Sequence, residues 1–201
     1  MSGIPNPSPI VEYCNCMEDI KQRLLKVNKI LSGHSPLRNE GLDGEVVCLL
    51  IRKSLEQIAF STLIAHKEAY TRVHTDFAKT WRVKELLKRI EAIHPNFYPK
   101  PVTFTSIDTG NVKHLLDIED GYLTRDDFIF LYNTCSKVIH TWNPYAPGPR
   151  VVVTQRPLSE WVHRIQRLLD LHYLQFVSEN GVWVIQMNHP DDGKVHAFPA
   201  S

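Results

Sequence analysis

The sequence predicts a mainly α (α+β) fold: an up-and-down bundle of about five helices with a short C-terminal β-hairpin or meander. Three observations support this fold class. Two long segments, 45–70 and 124–142, are apolar around much of a helical circumference, which is typical of interior helices. Apolar residues from Tyr13 to Leu31 recur at alternating steps of four and three, which indicates a helix packed lengthwise on another. Beyond residue 173 the apolar residues alternate as they do in strands.

The first three helices are separated by clear breaks in the pattern. We predict an N-terminal arm over residues 1–10, which contain three prolines, before the first helix. Four breakers then precede the second helix, 45–70: Gly33, Pro36, Gly41 and Gly44. The third helix is predicted from about residue 75 to Ile93 and ends at His94-Pro95. The long loop that follows, 95–123, is functional or disordered, or it hides short strands.

The last two helices and the tail complete the predicted order. Thr124 with Asp127 indicates a capped start for the fourth helix, which Asn143-Pro144 ends. A fifth helix is predicted over 157–171, with an apolar inward stripe. We therefore expect a helical domain over 1–172 and a C-terminal β-meander over 173–201 packed on it, with Trp183, Ile185 and Met187 on one face.

Composition limits the class of function. The chain has 201 residues, of which 43% are hydrophobic, so it can bury a full core. A net charge of +1 gives no global reason to expect a polyanionic partner. Since no apolar run reaches the length of a bilayer span and the first residues lack the features of a signal peptide, we expect a cytoplasmic protein without a membrane partner. Four cysteines in helical patterns are expected to be reduced and structural.

Two polar pairs lie on the interior helices. Arg52 with Glu56, and Ser136 with His140, are each four residues apart and therefore share a helix face. The first pair is either a surface ion pair or part of a buried network that meets Ser136 or His140 across the helix interface. We expect Arg52 and His140 to lie in one interior polar cluster that holds the bundle together rather than performing chemistry.

The motifs IRKSLEQIAF and LYNTCSKVIHTWNP resemble the prokaryotic HEPN-type helical bundles, over about residues 45–145. In that superfamily an "RxxLE" helix packs against a helix that ends in a Ser-and-His segment. The two motifs map onto Arg52, Glu56, Ser136 and His140. The resemblance implies an up-and-down bundle, frequent dimerisation, and either metal-independent ribonuclease activity or a non-catalytic binding role in a stress or defence setting.

Active members of that superfamily place an Arg ahead of a His with four to six residues between them, so that the guanidinium holds a phosphate beside the imidazole. The corresponding positions before His140 hold Cys135, Thr134 and Asn133, a departure that argues against nuclease activity. Three other pairs have the required spacing: Arg89 with His94, Arg156 with His163, and Arg167 with His172. Our catalytic candidates are therefore His140, Arg167 and His172, and we expect a binding or regulatory protein rather than an enzyme.

The C-terminal third offers a different class of function. Residues 157–187, a helix followed at once by a hairpin, resemble the end of a winged-helix domain, in which Arg164 and Arg167 would contact DNA. The alternative is a meander that caps the bundle. We prefer the meander because the hairpin tip carries Glu179 rather than basic residues.

The sequence predicts no metal ion and no cofactor. A calcium-loop-like run, DGYLTRDDF, would require oxygen ligands where Leu116 and Ile118 stand. Cys14 and Cys16 have no second pair at zinc-ligand spacing, and the histidines are scattered. The expected partners are a second copy of the chain, in a homodimer, and RNA or another protein.

Overall fold

The structure, a computed structural model, describes residues 8–73, 83–105, 114–141, 145, 152–176 and 181–200. Within them the prediction of a mainly α fold with a C-terminal β-meander is confirmed. The helices are α1 (Pro9–Leu31), α2 (Glu40–Val73), α3 (Val83–Ile93), α4 (Arg125–Ile139) and α5 (Leu158–Leu169). The strands are β1 (Lys100–Phe104), β2 (Leu115–Asp117), β3 (Leu171–Phe176), β4 (Gly181–Gln186) and β5 (His196–Ala200).

Helix α1 begins at Pro9, so Pro9 and Ile10 belong to the helix and not to the predicted arm. Proline is favoured at this position because its fixed φ suits the first turn and its missing N–H would have no helical partner. The predicted seam is buried: Tyr13, Met17, Ile20, Leu24 and Val27. The helix ends where Gly33 takes a φ of +84° and the His34 N–H bonds the Lys29 carbonyl at 2.9 Å.

Helix α2 begins at Glu40, five residues before the predicted start, and includes two glycines that we interpreted as breakers. The reason is a local cap. The side-chain oxygen of Asn39 accepts hydrogen bonds from the backbone N–H groups of Gly41 and Leu42, both at 3.1 Å. Such a cap contributes about 1 kcal/mol, which is similar to the cost of one glycine inside a helix.

The predicted cap of α4 is present, since the Thr124 side chain accepts from the Asp127 N–H at 3.2 Å. The helix ends at Ile139 with His140 as its C-cap residue, and the predicted Asn143-Pro144 stop lies outside the described residues. Helix α5 ends two residues earlier than predicted because β3 begins at Leu171. Its inward stripe is buried as expected.

The 95–123 connection contains the short strands β1 and β2. Of the three alternatives for this loop, the described part therefore agrees with hidden short strands. All neighbouring strands are antiparallel, in the order β2-β1-β3-β4-β5. Strand β1 pairs with β3 through Lys100 opposite Tyr173 and Pro101 opposite His172. The meander is therefore extended to five strands by a segment that precedes α4 in the chain.

One continuous core joins the helices to one face of the sheet. Its largest fully buried side chains include Trp161, Tyr13, Phe97 and Phe128. From the tail, Ile185 and Met187 are buried and the partly buried Trp183 packs against the same core, as the alternation predicts. A second, small apolar cluster contains Val102, Leu171 and Val184. No helix among the described residues has the length and apolar character needed to cross a bilayer.

Candidate functional site

The predicted polar residues of α2 form a closed triangle with a tyrosine of α4. Arg52 donates from Nε to Glu56 Oε1 at 3.1 Å and from Nη2 to Tyr132 Oη at 3.2 Å. The Tyr132 hydroxyl in turn donates to Glu56 Oε1 at 3.1 Å, and the guanidinium lies 5.1 Å from the centre of the tyrosine ring. Although partial burial opposes the charge of Arg52, its bonds with Tyr132 and Glu56 raise the pKa of the guanidinium. The arrangement ties α2 to α4 at the edge of the core.

Tyr132, and not Ser136 or His140, is the partner across the helix interface. Ser136 donates from Oγ to the backbone carbonyl of Tyr132 at 2.7 Å, within its own helix. His140 is exposed at the C-terminal end of α4, where its N–H bonds the Ser136 carbonyl. The structure therefore does not place His140 in an interior cluster with Arg52. Tyr132 lies four residues before Ser136, so the same helical spacing that selected Ser136 could have found it.

His172, a catalytic candidate, is enclosed in the core. Its Nδ1 lies 2.8 Å from the Leu169 carbonyl, which can only accept, so Nδ1 carries the proton. The unprotonated Nε2 then accepts from the Tyr13 hydroxyl at 2.8 Å. Both side chains are fully buried. Burial lowers the pKa of His172 to about 4, and burial raises the pKa of Tyr13, against a smaller opposing effect of Ser61. The neutral pair joins α1 to the α5–β3 corner and has no access to solvent.

The arginines of α5 are used for contacts within the chain. Arg164 donates to the Tyr122 carbonyl at 3.0 Å and to Asp127 Oδ2 at 3.2 Å, and its side chain is 18% exposed. Arg167 donates from Nε to the Asp120 carbonyl at 3.1 Å. These bonds attach α5 to the segment before α4 and to the first turn of α4. Arg167 is bonded to Asp120, whereas His172 is enclosed in the core, and the bonds use donors of Arg164 and Arg167 that a winged-helix contact could otherwise use.

Two buried thiols meet between α2 and α4. Cys48 and Cys135 are both free cysteines, and their thiols interact. This interaction lowers the pKa of Cys48 and, together with burial, raises the pKa of Cys135. Because both side chains are about 1% exposed or less, they act as small core residues at this interface.

An open groove of about 340 Å³ lies between α4 and the segment 152–155. Helix α4 contributes Phe130, Thr134 and Lys137, which share one face, and the segment contributes Val152, Val153 and Gln155. Beneath it, Trp161 packs on Phe130 with ring centres 5.9 Å apart. No local sequence pattern indicates this groove, because its two walls are distant in the chain.

A further group of polar side chains lies in the connection between β4 and β5. His189, Asp192 and His196 each offer one ligand atom, and these atoms lie within 4.8 Å of one another. This set was not predicted from the sequence, in which the histidines look scattered. The spacing His-x2-Asp-x3-His within one turn is the signal that could have found it.

Comparisons of the chain with protein-family models, with curated proteins and with solved structures gave no match.

Proposed function

We propose that this chain is a non-catalytic binding protein that takes a segment of a protein partner in the groove between α4 and residues 152–155. In this proposal it is a cytoplasmic, prokaryotic, HEPN-like regulator, and the stress or defence setting rests on the motif resemblance alone. The main observation in support of the binding role is that contacts beneath the groove hold one of its walls in place before any partner binds.

The wall formed by residues 152–155 is held in place from below. The indole N–H of Trp161 donates to the Thr154 carbonyl at 2.9 Å. The Arg156 N–H bonds the same carbonyl at 2.7 Å, while Gln155 between them takes a φ of +59°. A binding surface fixed in this way loses little conformational entropy when a ligand is bound.

The lining indicates the chemistry of the partner. Val153 is 71% exposed and faces the groove together with the partly buried Phe130, so the surface suits an apolar side chain. Lys137 at the same face supplies one cation. One cation beside apolar groups favours a peptide that carries an acidic residue next to an apolar one. An RNA contact would instead need several cations along a phosphate backbone.

The catalytic candidates support the non-catalytic part of the proposal. Arg167 is bonded to the backbone carbonyl of Asp120, and His140 lies exposed at the C-terminal end of α4. His172 is fully buried and is used at both ring nitrogens. A nuclease of the HEPN type would need an arginine and a histidine to face one phosphate together.

The test is a selection of random peptides on the immobilised full chain, followed by measurement of their affinities. We expect peptides with an apolar residue beside Asp or Glu, and we expect Val153→Glu and Lys137→Glu each to weaken their binding about tenfold or more. Leu25→Glu is the matched control, because Leu25 is a 48% exposed apolar residue of α1 that does not line the groove. It should leave the affinity unchanged. The same preparations, assayed with RNA in EDTA, should show no cleavage.

Two results would overturn the proposal. Peptides that bind the two groove variants as tightly as the parent would remove the groove as the binding surface. RNA cleavage in EDTA that disappears in His140→Ala would replace binding with catalysis. Binding of duplex DNA that is lost in Arg164→Ala and falls steeply with salt would instead favour the winged-helix alternative.

We also propose that the chain forms a homodimer through α2. The seam of α1 is buried against its own chain, so dimerisation needs another surface. Leu42 and Leu49 lie seven residues apart, on one face of α2, and are 49% and 40% exposed. We expect light scattering to give the mass of a dimer for the parent chain and of a monomer for Leu49→Glu, whereas a monomeric parent would contradict the proposal.

A further inference from the structure

The connection between β4 and β5 is anchored to α1. The Lys21 ammonium group donates to the Met187 carbonyl at 3.0 Å and to the Gly193 carbonyl at 2.7 Å. Glu18, which also pairs with Lys21, accepts from the Val195 N–H at 2.6 Å. A helix therefore holds both ends of this short turn in position, as a rigid metal site requires.

The turn is also closed by its own backbone. The His189 N–H bonds the Lys194 carbonyl at 2.9 Å, and the Gly193 N–H bonds the His189 carbonyl at 2.7 Å. Gly193 takes a φ of +67°, a conformation that glycine adopts without strain. The Asp192 carboxylate accepts from the Lys194 N–H at 2.9 Å. These bonds fix the backbone on which three polar side chains converge.

The three side chains are two imidazoles and a carboxylate. The rings of His189 and His196 stack with their centres 4.2 Å apart. His196 Nε2 lies 3.2 Å from both carboxylate oxygens of Asp192. A second carboxylate, that of Asp191, lies 3.6 Å from His189 Nδ1.

We propose that His189, Asp192 and His196 form a binding site for a divalent transition-metal ion, of which Zn²⁺ is the best fit. Two imidazoles with one carboxylate are a donor set that zinc accepts with a fourth position left for water or a ligand. Calcium and magnesium prefer sites made of oxygen donors.

The geometry requires a modest adjustment. Ligand atoms about 2.1 Å from a tetrahedral metal ion are about 3.4 Å apart, so observed separations of up to 4.8 Å must close by at most about 1.4 Å. Asp192 is exposed and can rotate without disturbing the core. This site lies outside the α4 groove and does not depend on the binding role proposed for it.

The test is calorimetric titration of the metal-free full chain with Zn²⁺ at neutral pH, with Co²⁺ absorbance to report the ligand type. We expect one Zn²⁺ per chain, with affinity reduced about tenfold or more in both His196→Ala and Asp192→Asn. His163→Ala is the matched control, since His163 is an exposed histidine of α5 outside the set, and it should bind within about twofold of the parent. Circular dichroism establishes that the variants remain folded.

Three outcomes would overturn the site. Zinc affinity unchanged in both His196→Ala and Asp192→Asn would show that the ion binds elsewhere. A thiolate-to-cobalt charge-transfer band that persists in His196→Ala would assign the ion to cysteines such as Cys14 and Cys16. Equal affinity for Mg²⁺ and Zn²⁺ would show that the ions bind exposed carboxylates without the two histidines.

Discussion

Replacing His172 by leucine is expected to lower the free energy of unfolding by about 2–4 kcal/mol. The substitution removes the acceptor of the buried Tyr13 O–H and the donor to the Leu169 carbonyl, and each such loss costs about 1–3 kcal/mol. Tyr13→Phe should cost about 1–2 kcal/mol, because the buried Nε2 of His172 then has no donor. Denaturant unfolding followed by circular dichroism measures both losses.

The double variant Tyr13→Phe/His172→Leu distinguishes a direct bond from general damage to the core. If the two side chains stabilise each other, their losses are not additive and the double variant is more stable than the sum by about 1 kcal/mol. His163→Leu on the exposed side of α5 should change the stability by less than about 0.5 kcal/mol. Strictly additive losses, or a loss at His172 no larger than at His163, would contradict the buried pair.

The free energy of unfolding should fall as the pH is lowered, because His172 is held neutral in the folded chain. Burial lowers the pKa of His172 from an ordinary value of 6.5 to about 4 in the folded chain. Above about pH 6.5 the ring is neutral in both states, so its full contribution to stability is present. Between about pH 6.5 and 4 the unfolded chain takes up a proton that the folded chain excludes, and stability is lost at up to about 1.4 kcal/mol per pH unit, or about 3 kcal/mol in all.

The measurement is the free energy of unfolding as a function of pH for the parent and for His172→Leu. Other titrating groups contribute to both curves, so the difference between the curves isolates His172. We expect that difference to shrink as the pH falls from about 6.5 to 4 and then to level off. A difference that stays constant across this range would mean that His172 titrates alike in the folded and unfolded chains.

The helices could be predicted because their signals are local. The seam from Tyr13 to Val27 repeats with the helical period, and Thr124 caps α4 from three residues away. Helix α2 starts five residues before the predicted position although its signal is also local, because the Asn39 cap offsets the helix cost of a glycine. The strands β1 and β2 could be predicted only as one alternative, because β1 pairs with β3, which lies far along the chain, and β2 pairs with β1.

The polar residues illustrate the same limit. Helical spacing put Arg52 beside Glu56, and the structure has that contact. Spacing could not decide which residue of α4 would bond this pair. Because of the way α2 crosses α4, Tyr132 bonds Arg52, while His140 lies exposed at the end of α4. His172 was selected for its distance from Arg167 along the chain, whereas its surroundings are set by α1.

The sequence by itself therefore determined the fold class, most helix limits and the inward faces, because periodicity and caps act within a few residues of one another. Only the tertiary structure decided that Tyr13 binds His172, that Phe130 and Val153 line one groove, and that Lys21 anchors the turn holding His189 and His196. These contacts join residues far apart in the chain. Their formation depends on how the helices and the sheet pack together, which no local pattern specifies.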